Sequence, residues 1–537
     1  MDKSKRLKIL LEKGYFPSEL PPPFVTHPLA KFRSSILRQW DDADGVPKTK
    51  FETYSVPRVG NRRRKLAITN PISQTLLSKA IADNWIEIRQ FVGSSRIALD
   101  TPNLAENQSR AIPKPDFNQI KFKRLETEAR HAHILVSDIS RFYGTIYTHT
   151  LPWALHTKDH CKSNINNNAV MQNLLGDKLD KLVRKGQDNQ TIGIPIGPDT
   201  SRILSEIIAV GIEKKFIDLS GLEGDRVFRY VDDWFVGFDN AGQAEDSVSM
   251  LSKACSEYEM ELNDEKTRVV DPFEPTEENW PSELQNLNIR PSGRAQREDL
   301  AHYFSRAFEL AGEHHEKNVL DYAIKITRSK NIADENLRFY EANLLKAARI
   351  NPSSFQVVAE ILINLNYQGK PITKQDVMKL ICDTINSCAE LGKHGELAWA
   401  LFLAKGLRIR LPQQAIQKVA NVESSVCALL SLDLKKMGLL ETRLDTSFWQ
   451  SFMNKDFLTD EMWLLAYEAD FKGWLPSPNN HVDNHPFFSV LKRKKVFFYD
   501  EGRNVPKTIK ALRLLRQETQ QRASIIRRIF NFDYFDE

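Results

Sequence analysis

Cysteine is scarce in this chain: five residues in 537, with no CxxC pair. The odd, scattered set (Cys161, Cys255, Cys382, Cys388, Cys427) argues against a disulfide framework and a structural zinc, and fits a reducing, cytoplasmic compartment. Cys382 and Cys388 read as core residues. Long apolar runs are missing too. None reaches the roughly 20 residues that cross a bilayer, and Ile9-Leu10-Leu11 is too short for a signal-peptide core. The expectation is a chain with no membrane partner. Strong net charge is also lacking: +5, with a pI of 8.7, permits a nucleic-acid partner without demanding one. What remains is 41% hydrophobic and 27% charged, an ordinary globular balance, at a length that asks for more than one core.

The first 270 residues mix periods. Short β-like runs ("HILVSDI", "RVFRYV", "WFVGF") alternate with helical ones ("QTLLSKAIADNWIEI", "RILSEIIAVGIEKKF"), which predicts an α+β or α/β unit. From Asp271 to Gly293 the prolines Pro272, Pro275, Pro281 and Pro291 interrupt every periodic pattern, so a boundary is expected there: residues 1–290 and 291–537. Beyond it, "EDLAHYFSRAFELAG", "FQVVAEILINLN" and "ELAWALFLAKGL" repeat apolar residues at helical spacing. This predicts stacked helix pairs of the HEAT kind, though without a fixed sequence period. Near the end, eight Lys or Arg lie between Arg503 and Arg528 against one acid, Glu518, predicting a basic helix. It would either track phosphates or pack with a solvated basic face.

Chemistry concentrates where two strand-like runs meet, at Tyr230-Val231-Asp232-Asp233. Paired aspartates in a turn are common. A second strand-like run, Ile134 to Val136, ends near Asp138, and carboxylates at neighbouring strand ends repel one another unless cations lie between them. Two magnesium ions about 3.5–4 Å apart would relieve that repulsion and serve in-line phosphoryl transfer.

Tyr230-Val231-Asp232-Asp233 resembles the YxDD motif of reverse transcriptases. Asp138 with Phe142 and Tyr143 resembles their motif A, "GIPIGPDTSRILSEIIA" (Gly193 to Ala209) motif B, and "LNDEKTRVV" (Leu262 to Val270) motif D. "RRRKLAITNPISQTLL" (Arg62 to Leu77) resembles the basic fingers motif. With "GYFPSELPPPF", IPxGP and the helical second half, the chain is similar to the abortive-infection and defence-associated reverse transcriptases of bacteria. The resemblance implies a fingers-palm core joined to an α-helical repeat domain, and DNA synthesis in anti-phage defence. Some members synthesise without a template and from a protein primer, and some form homo-oligomers.

The resemblance assigns Asp138, Asp232 and Asp233 as ligands of Mg2+, with Asp233 the less directly engaged. Lys266 would protonate the leaving pyrophosphate, and Tyr143 would stack under the sugar and select dNTPs. Arg64 and Lys65 would grip the triphosphate. Gly197 would let the backbone approach the nucleotide, with Ser201 at a motif B serine position and Asp199 or Thr200 capping the helix that follows. Two departures stand out. Ile196 occupies the place where templated enzymes usually carry glutamine, and Arg202 the place of a common proline. Both point away from ordinary template reading.

The leading expectation is thus a DNA polymerase of the abortive-infection and defence-associated reverse-transcriptase kind, with untemplated, protein-primed synthesis the form that Ile196 points to. Its partners would be dNTPs, a covalently attached DNA product, RNA, and other copies of the chain. A templated RNA-directed DNA polymerase of retron or intron type is the alternative. A non-catalytic helical scaffold with a vestigial polymerase core is the other. The priming residue, product sequence, phage trigger and oligomer number are not written in the sequence.

Overall fold

The computed structural model describes residues 1–40, 45–60, 62–113, 116–222, 224–240, 242–271 and 273–505. The expected basic helix lies outside the described residues from position 506 onward.

Two sheets organise the first half. β1 (Glu52–Pro57) and β2 (Arg63–Ile68) form an antiparallel hairpin with Val56 opposite Arg64. The second sheet has the order β4-β5-β3-β6, built from β3 (His133–Asp138), β4 (Val227–Tyr230), β5 (Asp233–Phe238) and the short β6 (Arg268–Val269). All its ladders are antiparallel. β3 is central, and Ile134 and Leu135 are buried. Aromatic pairing locks both faces: Phe228 stacks on Phe235 at 4.5 Å, and Trp234 meets Phe216 edge-on at 5.5 Å. Phe216 belongs to a 22-residue helix, Asp199–Ser220, that runs beneath the sheet and is buried along most of its length.

The Pro-rich stretch is not all irregular. Trp280–Asn286 is a short helix with Pro281 in its first turn, where the missing N–H costs nothing. It packs on the next two helices, Gly293–Glu313 and Val319–Thr327. From there, successive helices stack on their second neighbours: Gly293–Glu313 on Asp334–Ile350, Val319–Thr327 on Phe355–Tyr367, and Phe355–Tyr367 on His394–Leu407. The series continues with His394–Leu407 on Ser425–Lys436, and Ser425–Lys436 on Trp463–Phe471.

The two halves are not separate bodies. The helix His394–Leu407 is apolar on nearly every side and buried along nearly all its length, as a central helix must be. It packs against β1, and a Cβ at Gly395 would stand 3.1 Å from Val56 Cγ1 and 3.2 Å from the Ser55 carbonyl oxygen. Glycine is what allows this approach. Arg63 of β2 makes a two-pronged ion pair with buried Glu396, at 2.7 and 2.8 Å. Indole N–H groups complete the seam: Trp399 donates to Glu19 O, Trp463 to Ile68 O and Trp40 to Phe487 O.

Candidate active site

The hairpin between β4 and β5 pairs Tyr230 with Asp233 across a two-residue loop, Val231-Asp232. Asp233 is also the ladder partner of Asp138 in β3. Ile139 N donates to Asp232 O at 3.3 Å, so all three aspartates converge on one end of the sheet. Asp138 is 6% exposed. Burial raises the Asp232 carboxyl to about 7, with Asp233 and Asp138 adding to the shift and a hydrogen bond to Asp138 contributing. Burial and Asp138 push Asp233 up to about 6, against the pull of Lys266. The mutual repulsion inferred from the sequence is therefore built into the fold.

Lys266 rests on this corner. Its ammonium pairs with Asp138 Oδ2. Partial burial works against its charge, but Asp138 more than offsets that and holds its pKa above the ordinary lysine value. Asn263, three residues earlier, binds Asp138 twice, with N donating to Asp138 O at 2.7 Å and Nδ2 to Oδ2 at 3.4 Å. The motif D segment thus lies along β3 as an extra edge. Among the described residues, no group of three or more His, Cys, Asp and Glu side chains closes on one point as a metal cage does. The charge pattern still suits a divalent cation. Two half-buried carboxyls hold raised pKa values beside a third, and a cation is what would relieve them.

Backbone strain marks both approaches to the corner. Arg141, three residues after Asp138, has φ +46°, and Val231 has φ +54°. A β-branched residue in this region costs about 1–2 kcal/mol, which the surroundings must offset.

Tyr143 sits in a short helix, Phe142–Thr145, and burial raises its phenol pKa. Ser205 Oγ donates to Tyr143 Oη at 3.2 Å, and Ile194 N donates to Tyr143 O at 2.9 Å, joining motif A to motif B. Arg202 pairs with Asp100 and donates to Pro113 O at 2.7 Å. Ile196 is half-buried, and its carbonyl accepts from Ala67 N of β2 at 2.7 Å.

The other expected residues are placed as follows. Lys65 does not share the cleft with Arg64: strand alternation turns it to the opposite face, where it is exposed. From the hairpin, the arginines that line the cleft with Arg64 are Arg58 and Arg62. Their neighbourhood is positive enough that, after burial, Arg64 and Arg62 lower the Arg58 pKa, while Asp232 acts in the opposite sense. At Gly197, φ +131°, a Cβ would stand 2.8 Å from Pro17 Cγ, a close approach that glycine allows. Ser201 is buried beside Leu182, Gln74 and Leu204. Neither Asp199 nor Thr200 caps the motif B helix, which starts at Asp199 with no side-chain cap on Pro198. The Asp199 carboxylate is taken by Arg110 at 2.5 Å and Ile112 N at 3.0 Å, while Arg110 also holds the Gly197 and Phe16 carbonyls.

The cleft beside this corner has a volume of about 1240 Å³. Arg58, Arg62 and Arg64 form one wall, Lys325, Arg328 and Gln356 of the helical half line the other, and Lys266 connects the cleft to Asp138. Lys325 and Arg328 are partnered by Asp321 and Glu360, while the three hairpin arginines make no ion pair among the described residues. A two-residue alternation count from Arg64 back past the start of β2 would have picked Arg62 with it. Arg58 carries no local signal, and Asn263 none beyond its place in the motif D stretch.

Residues 71–290 match the family model for reverse transcriptase (RNA-dependent DNA polymerase). No curated protein matches the chain. A solved telomerase from Candida albicans, in complex with a fragment of telomeric RNA, aligns over 68% of each chain at 11% identity and a TM-score of 0.28. A likeness that faint adds nothing to the assignment, which rests on the family match and on the three-aspartate corner inside it. Residues 71–290 form a reverse transcriptase domain, and the chemistry it serves is nucleotidyl transfer.

Proposed function

We propose that the chain is a DNA polymerase of the defence-associated reverse-transcriptase kind, which joins dNTPs at the Asp138–Asp232–Asp233 corner. The observation that carries this reading is the convergence of the three carboxylates at the paired ends of β3 and β5, with two of them raised by burial and mutual repulsion. Mg2+ is the cation of choice by charge and hardness, and when bound it supplies the positive charge that activates a hydroxyl and steadies pyrophosphate. Asp138 and Asp232 are its principal holders, and Asp233 the outer one.

The chain's own residues do the rest. Arg58, Arg62 and Arg64 grip the triphosphate through charge-assisted hydrogen bonds. Tyr143, fixed by Ser205, lies under the sugar and excludes a 2′-hydroxyl. Lys266 leaves Asp138 to give its proton to departing pyrophosphate. Ile196 offers no donor or acceptor to a templating base, which supports extension without a copied strand, starting from a hydroxyl of the protein itself. The helical half, from about residue 291, is read as a HEAT-like stack that closes the cleft and joins subunits. The anti-phage role rests on the motif resemblance.

The test is purified, nuclease-treated protein with magnesium and each labelled dNTP, singly and together, without primer or template. Label that migrates with protein on a denaturing gel is the expected result. Synthesis only on an added primer-template, yielding its complement, would overturn the untemplated reading.

A further inference from the structure

Arg229 is fully buried on β4, one residue before the YxDD stretch. Its guanidinium is held by two carboxylates of the motif B helix. Nη2 donates to Glu206 Oε1 at 2.7 Å and to Glu213 Oε2 at 3.1 Å, and Nη1 donates to Glu206 Oε2 at 3.3 Å. Glu206 and Glu213 are seven residues apart, two helical turns, and so share a face. Glu213 is itself fixed by Ser95 Oγ at 2.6 Å and Arg96 N at 3.0 Å. Nε has no hydrogen-bond partner, and one further contact of the fork is the informative one. Nη1 also donates to Val231 O at 3.0 Å. Val231 is the positive-φ residue of the hairpin loop, and its carbonyl belongs to the peptide that leads into Asp232.

A network meant only to stabilise the core would be hard to justify here. Burying three charges is costly, and apolar side chains of the same size usually do as well. What apolar side chains cannot do is clamp a carbonyl in a loop that its own φ preference would abandon. The same helix that supplies Glu206 also supplies Ser205, which holds Tyr143.

We infer that Arg229, held by Glu206 and Glu213, is a positioning residue for Asp232: it fixes the strained Val231 turn so that the carboxylate meets its cation in the right place. It also ties that turn to the helix that orients Tyr143. The inference rests on the reading of Asp232 as a metal ligand.

The experiment uses the full chain with Arg229→Lys, which keeps the charge but loses the fork, and Glu206→Gln, which frees one prong. Folding is followed by circular dichroism. Mn2+ binding without nucleotide is followed by the free-ion paramagnetic resonance signal, and the magnesium concentration for half-maximal incorporation is measured alongside. Folded variants that bind Mn2+ about tenfold more weakly, with a matching rise in the magnesium requirement, are expected, since such supporting contacts commonly carry 10–100-fold in metal affinity. A purely structural role would lower the melting temperature and leave the metal affinity of the folded protein alone. Folded variants with wild-type Mn2+ binding would overturn the proposal. So would failure of both to fold, which would make the network a requirement of the core. Asp232→Asn run in parallel separates the two levels: wild-type metal binding in that variant would remove the ligand assignment itself, and the positioning role with it.

Discussion

Asp138 and Asp233 are direct partners across the β3–β5 ladder, so the pleat itself holds two carboxylates face to face at the end of the sheet. Like charges directly opposite one another destabilise a ladder. Lys266 and Asn263 meet Asp138 from the motif D segment and offset part of that cost.

Removing one charge from this corner should separate stability from activity. Asp232→Asn is expected to lower incorporation by about 100-fold or more. Its melting temperature without metal at pH 8 should equal or exceed that of the parent, because burial and Asp233 oppose the ionised form. Incorporation and melting are measured on the same preparation. Near-parental synthesis would dismiss the site.

The sugar gate has its own readout. Tyr143→Ala opens the space beside Ser205 and should raise the rNTP-to-dNTP incorporation ratio by about tenfold or more, as expected when a steric clash is removed from one of two competing substrates. An unchanged ratio would leave Tyr143 as a core residue.

The seam between the halves carries stability. Arg63→Ala strands the buried Glu396 carboxylate and should cost about 3 kcal/mol in urea unfolding. Arg63→Met with Glu396→Gln should recover most of it, because no uncompensated charge remains. Residues 1–290 alone are expected to aggregate, because Ile68, Trp40 and Val56 lose their cover from the helical half. A soluble, monomeric fragment in sedimentation would contradict that.

Glu52 predicts a pH effect far from the active site. It reaches from β1 to the N-terminus of the helix Ser425–Lys436, where Ser424 Oγ and Ser425 N donate to Oε1, while Oε2 has no partner. Its charge, where present, acts on Cys427 and Tyr54 and raises both. Burial raises its carboxyl to about 7, and the two serines only partly oppose this. The folded state therefore binds the proton more tightly than the unfolded chain. Its stabilising contribution is complete below the ordinary glutamate value and is lost as pH rises toward 7. Glu52→Gln should gain stability relative to the parent between pH 5 and pH 8. Parallel pH curves for the two proteins would refute the assignment.

Strand period, helix period and motif order are local properties, so the sequence alone determined that β3, β4 and β5 exist. It also determined that Asp138, Asp232 and Asp233 lie at or beside their ends, and that helices dominate the second half. Side-chain alternation within β2 was equally readable and would have separated Arg64 from Lys65. What pairs with what at long range was decided by tertiary packing. Glu396 seats Arg63 from 333 residues away, and Asn263 reaches Asp138 across 125. Pro17 fills the space beside Gly197, and Arg229 finds Glu206 and Glu213 only because a buried helix passes under its strand. No periodicity records such meetings. They follow from burial, which forces each charged or polar group taken from water to find whichever partner the fold brings within reach.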